Sequence, residues 1–186
     1  IEVKKYLRLL TDISREYRRH KGAFVIHFKQ KYADENEFPL WMACELLSFG
    51  NLITLFEGIP QKMKQRIANQ FNVSVDVFVS WMKSLGVVRN ICAHHNRLWN
   101  RTLGKSPKMP RERKHPEWHD PVAVVSDTND VRIFAILTIA RYISDHLTIN
   151  PTFTDDLDDL LAEYPDIPFA NMGFPENWLN CPIWMK

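Results

Sequence analysis

One stretch of this 186-residue chain concentrates side chains that handle protons and phosphates. It reads RNICAHHNRLWNR from Arg89 to Arg101, and eight of its thirteen residues are arginine, asparagine or histidine. Histidine exchanges a proton near neutral pH, whereas arginine forks onto phosphate oxygens and stabilises developing negative charge. These residue types suit cleavage of an RNA phosphodiester by the adjacent 2′-hydroxyl, because that reaction needs proton transfer and charge stabilisation but no metal ion.

The spacing within this stretch predicts one polar helix face. Asn90, His94 and Arg97 are separated by four and three residues, so a helix would align them, with Arg89 directly beside that face. The stretch contains no carboxylate, which argues against a nuclease that uses two metal ions.

Other interpretations of the same residues stay open. A helix rich in Arg, Asn and His is often only a solvated or interface face, and His94 could be a buried histidine with satisfied hydrogen bonds. A zinc site would use Cys92, His94 and His95. Adjacent histidines on a helix point about 100° apart, which makes joint binding of one ion unfavourable. We therefore expect neither a metal nor a cofactor.

The motif resembles known sequences. Arg89-Asn90-x-x-x-His94 is similar to the R-x4–6-H signature of HEPN ribonucleases, and the thirteen-residue string resembles the Abi-like family of bacterial abortive-infection proteins more closely. Flanking blocks agree with that family: PLWM from position 39, SFG from 48, and MGFP from 172 followed by Trp178. The similarity spans about residues 15 to 184. The family's usual N-terminal region would precede Ile1, so we expect this chain to be the C-terminal, HEPN-containing portion.

The resemblance implies a site and partners. Arg89 and His94 become the catalytic pair of an endoribonuclease that defends bacteria against phage and acts as a growth-arresting toxin. Asn90 would orient His94 or the phosphate, and His95 would be either a second acid/base group or a structural residue. Arg97 and Arg101 would extend the same surface and hold flanking phosphates. RNA is the implied substrate, and a homodimer is implied because two such motifs commonly face each other. A bound small RNA and an antitoxin or inhibitor are further partners to consider.

A second class of function is also compatible with these residues. Many HEPN domains have no activity, so the alternative is a non-catalytic module that binds RNA or a protein through Arg89 and His94. A purely structural helical scaffold is the third interpretation.

The apolar pattern predicts an all-α fold of five or six helices, and the resemblance implies that they form a HEPN-like bundle in a single domain over 1–186. The principal helices are expected at Leu40–Phe56, which should be mostly buried, at 75–101 with Ser74 as its cap, and at Asn129–Leu147. Thr154 is expected to cap an acidic helix at 155–163. Residues 165–186 are expected to form an extended aromatic strap.

A basic, proline-rich loop is predicted at 103–127, directly after the motif. Charge would follow an RNA backbone and the ring of Trp118 would stack on a base, with His119 beside it. The alternative is a solvated surface loop. The loop residues expected to bind RNA are Lys105, Lys108, Arg111, Arg113 and Lys114.

Composition limits the remaining options. The chain is 45% hydrophobic, which excludes global disorder, and it has no apolar run near the ~20 residues that a membrane span requires. Three widely spaced cysteines indicate a reduced, cytoplasmic protein. Without an apolar run of that length, no membrane partner is expected. Trp41 and Trp81 are expected to anchor packing, whereas Trp178 and Trp184 are expected to clamp the strap.

Overall fold

The computed structural model describes residues 3–104, 106–119 and 131–185, and these ranges contain helices and loops but no strand. The all-α prediction is therefore confirmed, with eight α-helices in the described ranges rather than five or six. None of them is long and apolar enough to cross a membrane. The helices are α1 (Val3–Arg19), α2 (Ala23–Lys31), α3 (Leu40–Leu46), α4 (Phe49–Gly58), α5 (Gln61–Asn69), α6 (Val75–Ala93), α7 (Ile133–Leu147) and α8 (Phe153–Glu163).

The chain divides into two compact units, Ile1–Lys64 and Gln65–Lys186. In the first unit α1 packs against α3 and α4. Its core is a small apolar cluster in which Val25 and Met42 are almost completely buried. Removing such side chains from water supplies the main stabilisation of a unit this small.

The predicted helix Leu40–Phe56 is in fact two helices, because Leu47 adopts an extended conformation and Ser48 starts a new helix. The Ser48 hydroxyl accepts a hydrogen bond from the Asn51 amide at 3.2 Å, which is a normal N-terminal cap. The expected deep burial is also wrong, since no residue of α4 is buried and Trp41 is 67% exposed.

The second unit is built on the packing of α6 against α7 and of α7 against α8. Trp81 anchors it as predicted: it is fully buried, and its ring meets Trp118 and Tyr142 at 4.9 and 5.5 Å between centroids. Trp178 and Trp184 are also buried and pack on Phe134 of α7.

The C-terminal segment is not extended throughout. It contains two short 3₁₀ turns, Phe169–Met172 and Trp178–Asn180. Trp184 nevertheless holds this segment to α7, because its indole Nε1 donates to the Thr138 hydroxyl at 3.0 Å in a fully buried position.

Thr154 does not cap α8, which begins at Phe153, two residues before the predicted start, with Thr152 at the cap position. The Thr154 hydroxyl instead accepts a hydrogen bond from Nε of Arg141 at 2.8 Å. Arg141 is buried and also forms an ion pair with Asp145. Burial lowers the pKa of the Arg141 guanidinium, and the Asp155 charge partly opposes that shift. The predicted start of the preceding helix at Asn129 lies outside the described residues.

Candidate active site at the end of helix α6

Helix α6 carries the motif on a well-anchored support. Ser74 caps its start as predicted, accepting from the Val77 amide at 3.4 Å. The helix buries Phe78, Trp81 and Ile91, so the backbone next to Arg89 and Asn90 is fixed by packing.

The helix ends at Ala93 and not near Arg101, which corrects the predicted span 75–101. The Asn96 amide donates to the Ile91 carbonyl at 3.0 Å, and the His95 amide donates to the Cys92 carbonyl at 2.9 Å. This pair of bonds is a Schellman motif, which requires a left-handed residue between the helix and the following loop. His95 supplies that residue with φ of 53°. Because the helix stops, the expected common helical face of Asn90, His94 and Arg97 does not form.

Every polar member of the motif is exposed. Arg89, Asn90, His94, His95 and Arg97 all lie open to solvent. His94 is therefore not a buried structural histidine, and the side chains are accessible to a large ligand.

Asn90 links the two central residues of the motif. Its side-chain oxygen accepts a hydrogen bond from Nη1 of Arg89 at 3.3 Å, and its backbone carbonyl accepts one from the His94 amide at 3.1 Å. Five helical positions separate Arg89 from His94, which places them about 140° apart around the axis. Within a single copy of the chain, the Arg89 guanidinium thus contacts Asn90 and not the His94 imidazole.

The loop after the helix is also held in place. Asn100 has φ of 49° and accepts a hydrogen bond from Nη1 of Arg132 at 2.6 Å. The same guanidinium donates to the Asn171 carbonyl at 2.7 Å, so it ties the motif loop to the C-terminal segment. The Arg97 guanidinium lies 6.0 Å from the centre of the Trp99 ring. Arg101 is exposed at the end of this loop.

The basic loop runs back along α6, away from the motif. The Lys108 amide donates to the Ser80 hydroxyl at 2.8 Å, and the Lys108 carbonyl accepts from the Trp81 indole at 2.9 Å. Ser80 lies about 14 Å along the helix from Arg89. Lys105 lies outside the described residues, as does the loop beyond His119 up to its predicted end at 127.

The remaining loop cations gather at the opposite end of α6. Arg111, Arg113 and Lys114 are exposed, and the turn that carries them is fixed by His115. Along α6, the start of the helix near this group lies roughly 21 Å from Arg89 and roughly 28 Å from His94. The sequence order alone had suggested a continuous strip.

His115 is a residue that sequence reasoning missed. It is 8% exposed, its Nε2 lies 2.7 Å from the Asn72 carbonyl oxygen, and its Nδ1 lies 2.9 Å from the Glu117 carboxylate. Both ring nitrogens thus face acceptors. In the sequence, His115 directly follows the charged residues Arg111–Lys114. Nothing in that neighbourhood indicated that its side chain would be buried.

A polar cleft of about 1070 Å³ opens beside His115. Arg111 and Lys114 lie on its wall, together with Tyr142 and His146 of α7. Burial raises the pKa of the Tyr142 phenol to about 12, with a smaller contribution from the Glu117 charge. The predicted aromatic platform is not available here, because Trp118 is 1% exposed and packs in the core.

The alternative zinc site is not assembled. In the part of the chain that the structure describes, no three His, Cys, Asp or Glu side chains cluster closely enough to hold a metal ion. Cys92, His94 and His95 follow one another around the end of the helix and do not form such a group.

A family model described as Abi-like protein matches residues 2–100 of this chain. That range is more than half of the chain and contains Arg89, Asn90, His94 and His95. It stops before the basic loop and before the block around Trp178, so it is shorter than the expected similarity over about 15 to 184. No curated protein and no solved structure matches the chain.

Proposed function

The chain belongs to the Abi-like protein family, and on that premise we propose that it is a metal-independent endoribonuclease of a bacterial abortive-infection system. The observation that supports this proposal is the placement of Arg89, Asn90 and His94. All three are exposed at the rigid end of α6, inside the matched residues, where an RNA strand can reach them.

The proposed reaction uses the RNA's own 2′-hydroxyl as the nucleophile. A base removes the 2′-hydroxyl proton, the O2′–P bond forms, and a pentavalent phosphorane develops. The P–O5′ bond then breaks as an acid protonates the leaving 5′-oxygen. The products are a 2′,3′-cyclic phosphate and a 5′-hydroxyl.

Each motif residue has a role in this reaction. His94 acts as the general base or the general acid, and proton transfer of this kind accelerates the reaction about 10²–10⁴-fold. The Arg89 guanidinium stabilises the phosphorane, and Asn90 orients it through their mutual hydrogen bond. The second proton-transfer group is His94 of a second copy, if two motifs face one another, or His95 of the same chain.

Cleavage of a fluorescent RNA in excess EDTA tests the proposal. We expect activity with the chelator present, and a loss of about 10²-fold or more in both His94→Ala and Arg89→Ala. Arg66→Ala, an exposed arginine on α5, is the matched control and should cleave normally. Activity that disappears with EDTA, or that survives in His94→Ala, would contradict the mechanism.

Growth arrest tests the biological role. Expression of the wild-type chain is expected to stop growth, and the double change Arg89→Ala with His94→Ala is expected to relieve that arrest. Growth arrest that persists in the double variant would show that the toxicity does not come from RNA cleavage by these residues.

One observation favours the second candidate, a non-catalytic RNA-binding or protein-interaction module. Arg89 contacts Asn90 and lies about 140° around the helix from His94, so the catalytic pair is not assembled within a single copy. For such a module, RNA or partner binding would depend on Arg89 while no cleavage occurs under any condition.

A further inference from the structure

We propose that two copies of this chain associate through their first units, with the first turns of α1 of one copy seated in an aromatic groove between α2 and α3 of the other. The pairing is independent of Arg89 and His94, which lie in the second unit. It rests on two exposed apolar surfaces that the same chain carries with opposite charge at their borders.

The first surface is the start of α1. Every residue from Val3 to Arg8 is exposed, so about two helical turns have no apolar cover within the unit. Val3, Leu7 and Leu10 are 73%, 56% and 40% exposed, and spacings of four and three place them in one stripe. A contiguous apolar stripe on a helix is typical of an interaction site.

Cations border that stripe. Lys4 and Arg8 follow Val3 and Leu7 on the adjoining helix face, and neither has an ion-pair partner within residues 3–104, 106–119 and 131–185. The acidic residues of α1 are engaged elsewhere: Asp12 pairs with Arg15 at 2.9 Å, and Glu16 pairs with Arg19. The beginning of the helix is therefore apolar and positively charged.

The second surface is a groove of about 1070 Å³ in the same unit. Phe28, Phe38 and Met42 line it, whereas Trp41 and Tyr32 stand on it with 67% and 47% of their surfaces exposed. Large aromatic side chains that stay exposed around a concave apolar site are characteristic of interface hot spots.

Carboxylates border the groove. Glu35, Glu37 and Glu45 all contribute to its lining, and the side chains of these three have no ion-pair partner among the described residues. Lys31 is also on the rim, where its ammonium lies 5.6 Å from the centre of the Tyr32 ring. An apolar helix with a positive border is the complement of this site, and the start of α1 has that chemistry.

A two-fold pair would use both surfaces twice. The α1 helix of each copy enters the groove of the other, so both apolar stripes and both grooves are covered at once. A self-complementary, closed arrangement of this kind is the usual form of a homodimer. Charge complementarity at the border would fix the register of the helix in the groove.

Charge reversal on each surface gives a direct test with the full chain. One variant carries Lys4→Glu and Arg8→Glu; the other carries Glu35→Lys and Glu37→Lys. Each variant alone places like charges together, so we expect its self-association constant, measured by analytical ultracentrifugation, to weaken on the order of tenfold or more. A mixture of the two restores opposite charges at both docking sites and should form a heterodimer about as tightly as the wild type self-associates.

Further variants separate packing from charge. Leu7→Asn and Trp41→Ser change exposed side chains and should weaken the dimer without loss of helical circular dichroism. Lys62→Glu with Arg66→Glu reverses two exposed charges on α5 and should leave association unchanged.

Three results would overturn the proposal: a monomeric wild type at every concentration, dimers that persist in each charge-reversed variant alone, or a mixture that stays monomeric. A monomer that binds vesicles of phosphatidylcholine and phosphatidylglycerol through Leu7 would assign the stripe to a lipid surface instead. None of these outcomes is read from RNA cleavage, so failure of this proposal is distinguishable from failure of the proposed function. A monomeric wild type would only leave His95 of the same chain as the second proton-transfer group.

Discussion

The left-handed residue that ends α6 allows a prediction whose sign can be worked out from the structure. His95 has φ of 53°, a conformation that costs an L-residue about 1–2 kcal/mol. Histidine tolerates it better than most residues, so its cost lies near the lower end. Glycine has no such cost, although its greater freedom in the unfolded chain takes back about 0.5–1 kcal/mol.

His95→Gly should therefore stabilise the protein slightly, by about 0.5 kcal/mol or less. His95→Val should destabilise it by about 1 kcal/mol or more, because a β-branched residue is a true outlier at positive φ. The two variants should differ by roughly 1.5 kcal/mol, which corresponds to about 3–6 °C in Tm for a chain of this size.

Thermal unfolding of the purified variants measures this difference. Val87 provides the matched control, because it is a half-exposed valine in the middle of the same helix. There Val87→Gly should lower Tm, so the order of the two residue types is reversed. If His95→Val proved as stable as His95→Gly, the helix would not end as described and the placement of His94 would be wrong. RNA cleavage by His95→Gly also separates the two roles of His95: retained activity assigns it to the helix end, and lost activity assigns it to proton transfer.

Three more predictions concern other parts of the second unit. Thr138→Val should cost about 1–3 kcal/mol in urea unfolding because it leaves the buried Trp184 indole without an acceptor, whereas Thr138→Ser should cost less; equal costs would refute the role of the hydroxyl. Because the pKa of Tyr142 is raised to about 12, its neutral phenol should stabilise the fold fully below pH 10, and this stabilisation should be lost as pH rises through about 12. The loss amounts to at most about 2.7 kcal/mol in the free energy of unfolding. An equally steep loss of stability in Tyr142→Phe would contradict this prediction. Arg111→Gln with Lys114→Gln should reduce the slope of the logarithm of the single-stranded RNA binding constant against the logarithm of salt concentration by about 1.4, if both side chains contact phosphates. An unchanged slope would exclude the cleft as an RNA-binding site.

The sequence predicted the helices well where apolar spacing and capping residues agree. Ser74 before a run of apolar residues correctly marked the start of α6, and Trp81 is fully buried in the second unit as expected. The end of α6 could not be predicted in the same way. No glycine marks it, and Leu98, seven residues after Ile91, continued the apolar pattern past the true end.

Long-range partners explain the other differences. Thr154 looked like a cap but accepts a hydrogen bond from Arg141, which lies on another helix. Trp41 was expected to anchor packing on a mostly buried helix, yet its side chain remains exposed. Spacing identifies an apolar face, but only the arrangement of the helices decides which faces find a partner.

The candidate site was predictable in composition but not in geometry. The sequence identified Arg89, Asn90 and His94, and the structure places all three on the surface. The sequence could not show that the loop cations Arg111, Arg113 and Lys114 lie at the far end of α6. Their position depends on the hydrogen bonds of Lys108 and His115 to residues that are distant in sequence.

The nucleophile is the central claim, and one modified substrate tests it most directly. An RNA in which only the nucleotide before the cleaved phosphate lacks its 2′-hydroxyl should resist cleavage at that bond. The unmodified RNA should yield a 2′,3′-cyclic phosphate and a 5′-hydroxyl at the same position. Cleavage of the 2′-deoxy substrate at that bond, or products ending in a 3′-hydroxyl and a 5′-phosphate, would contradict the mechanism.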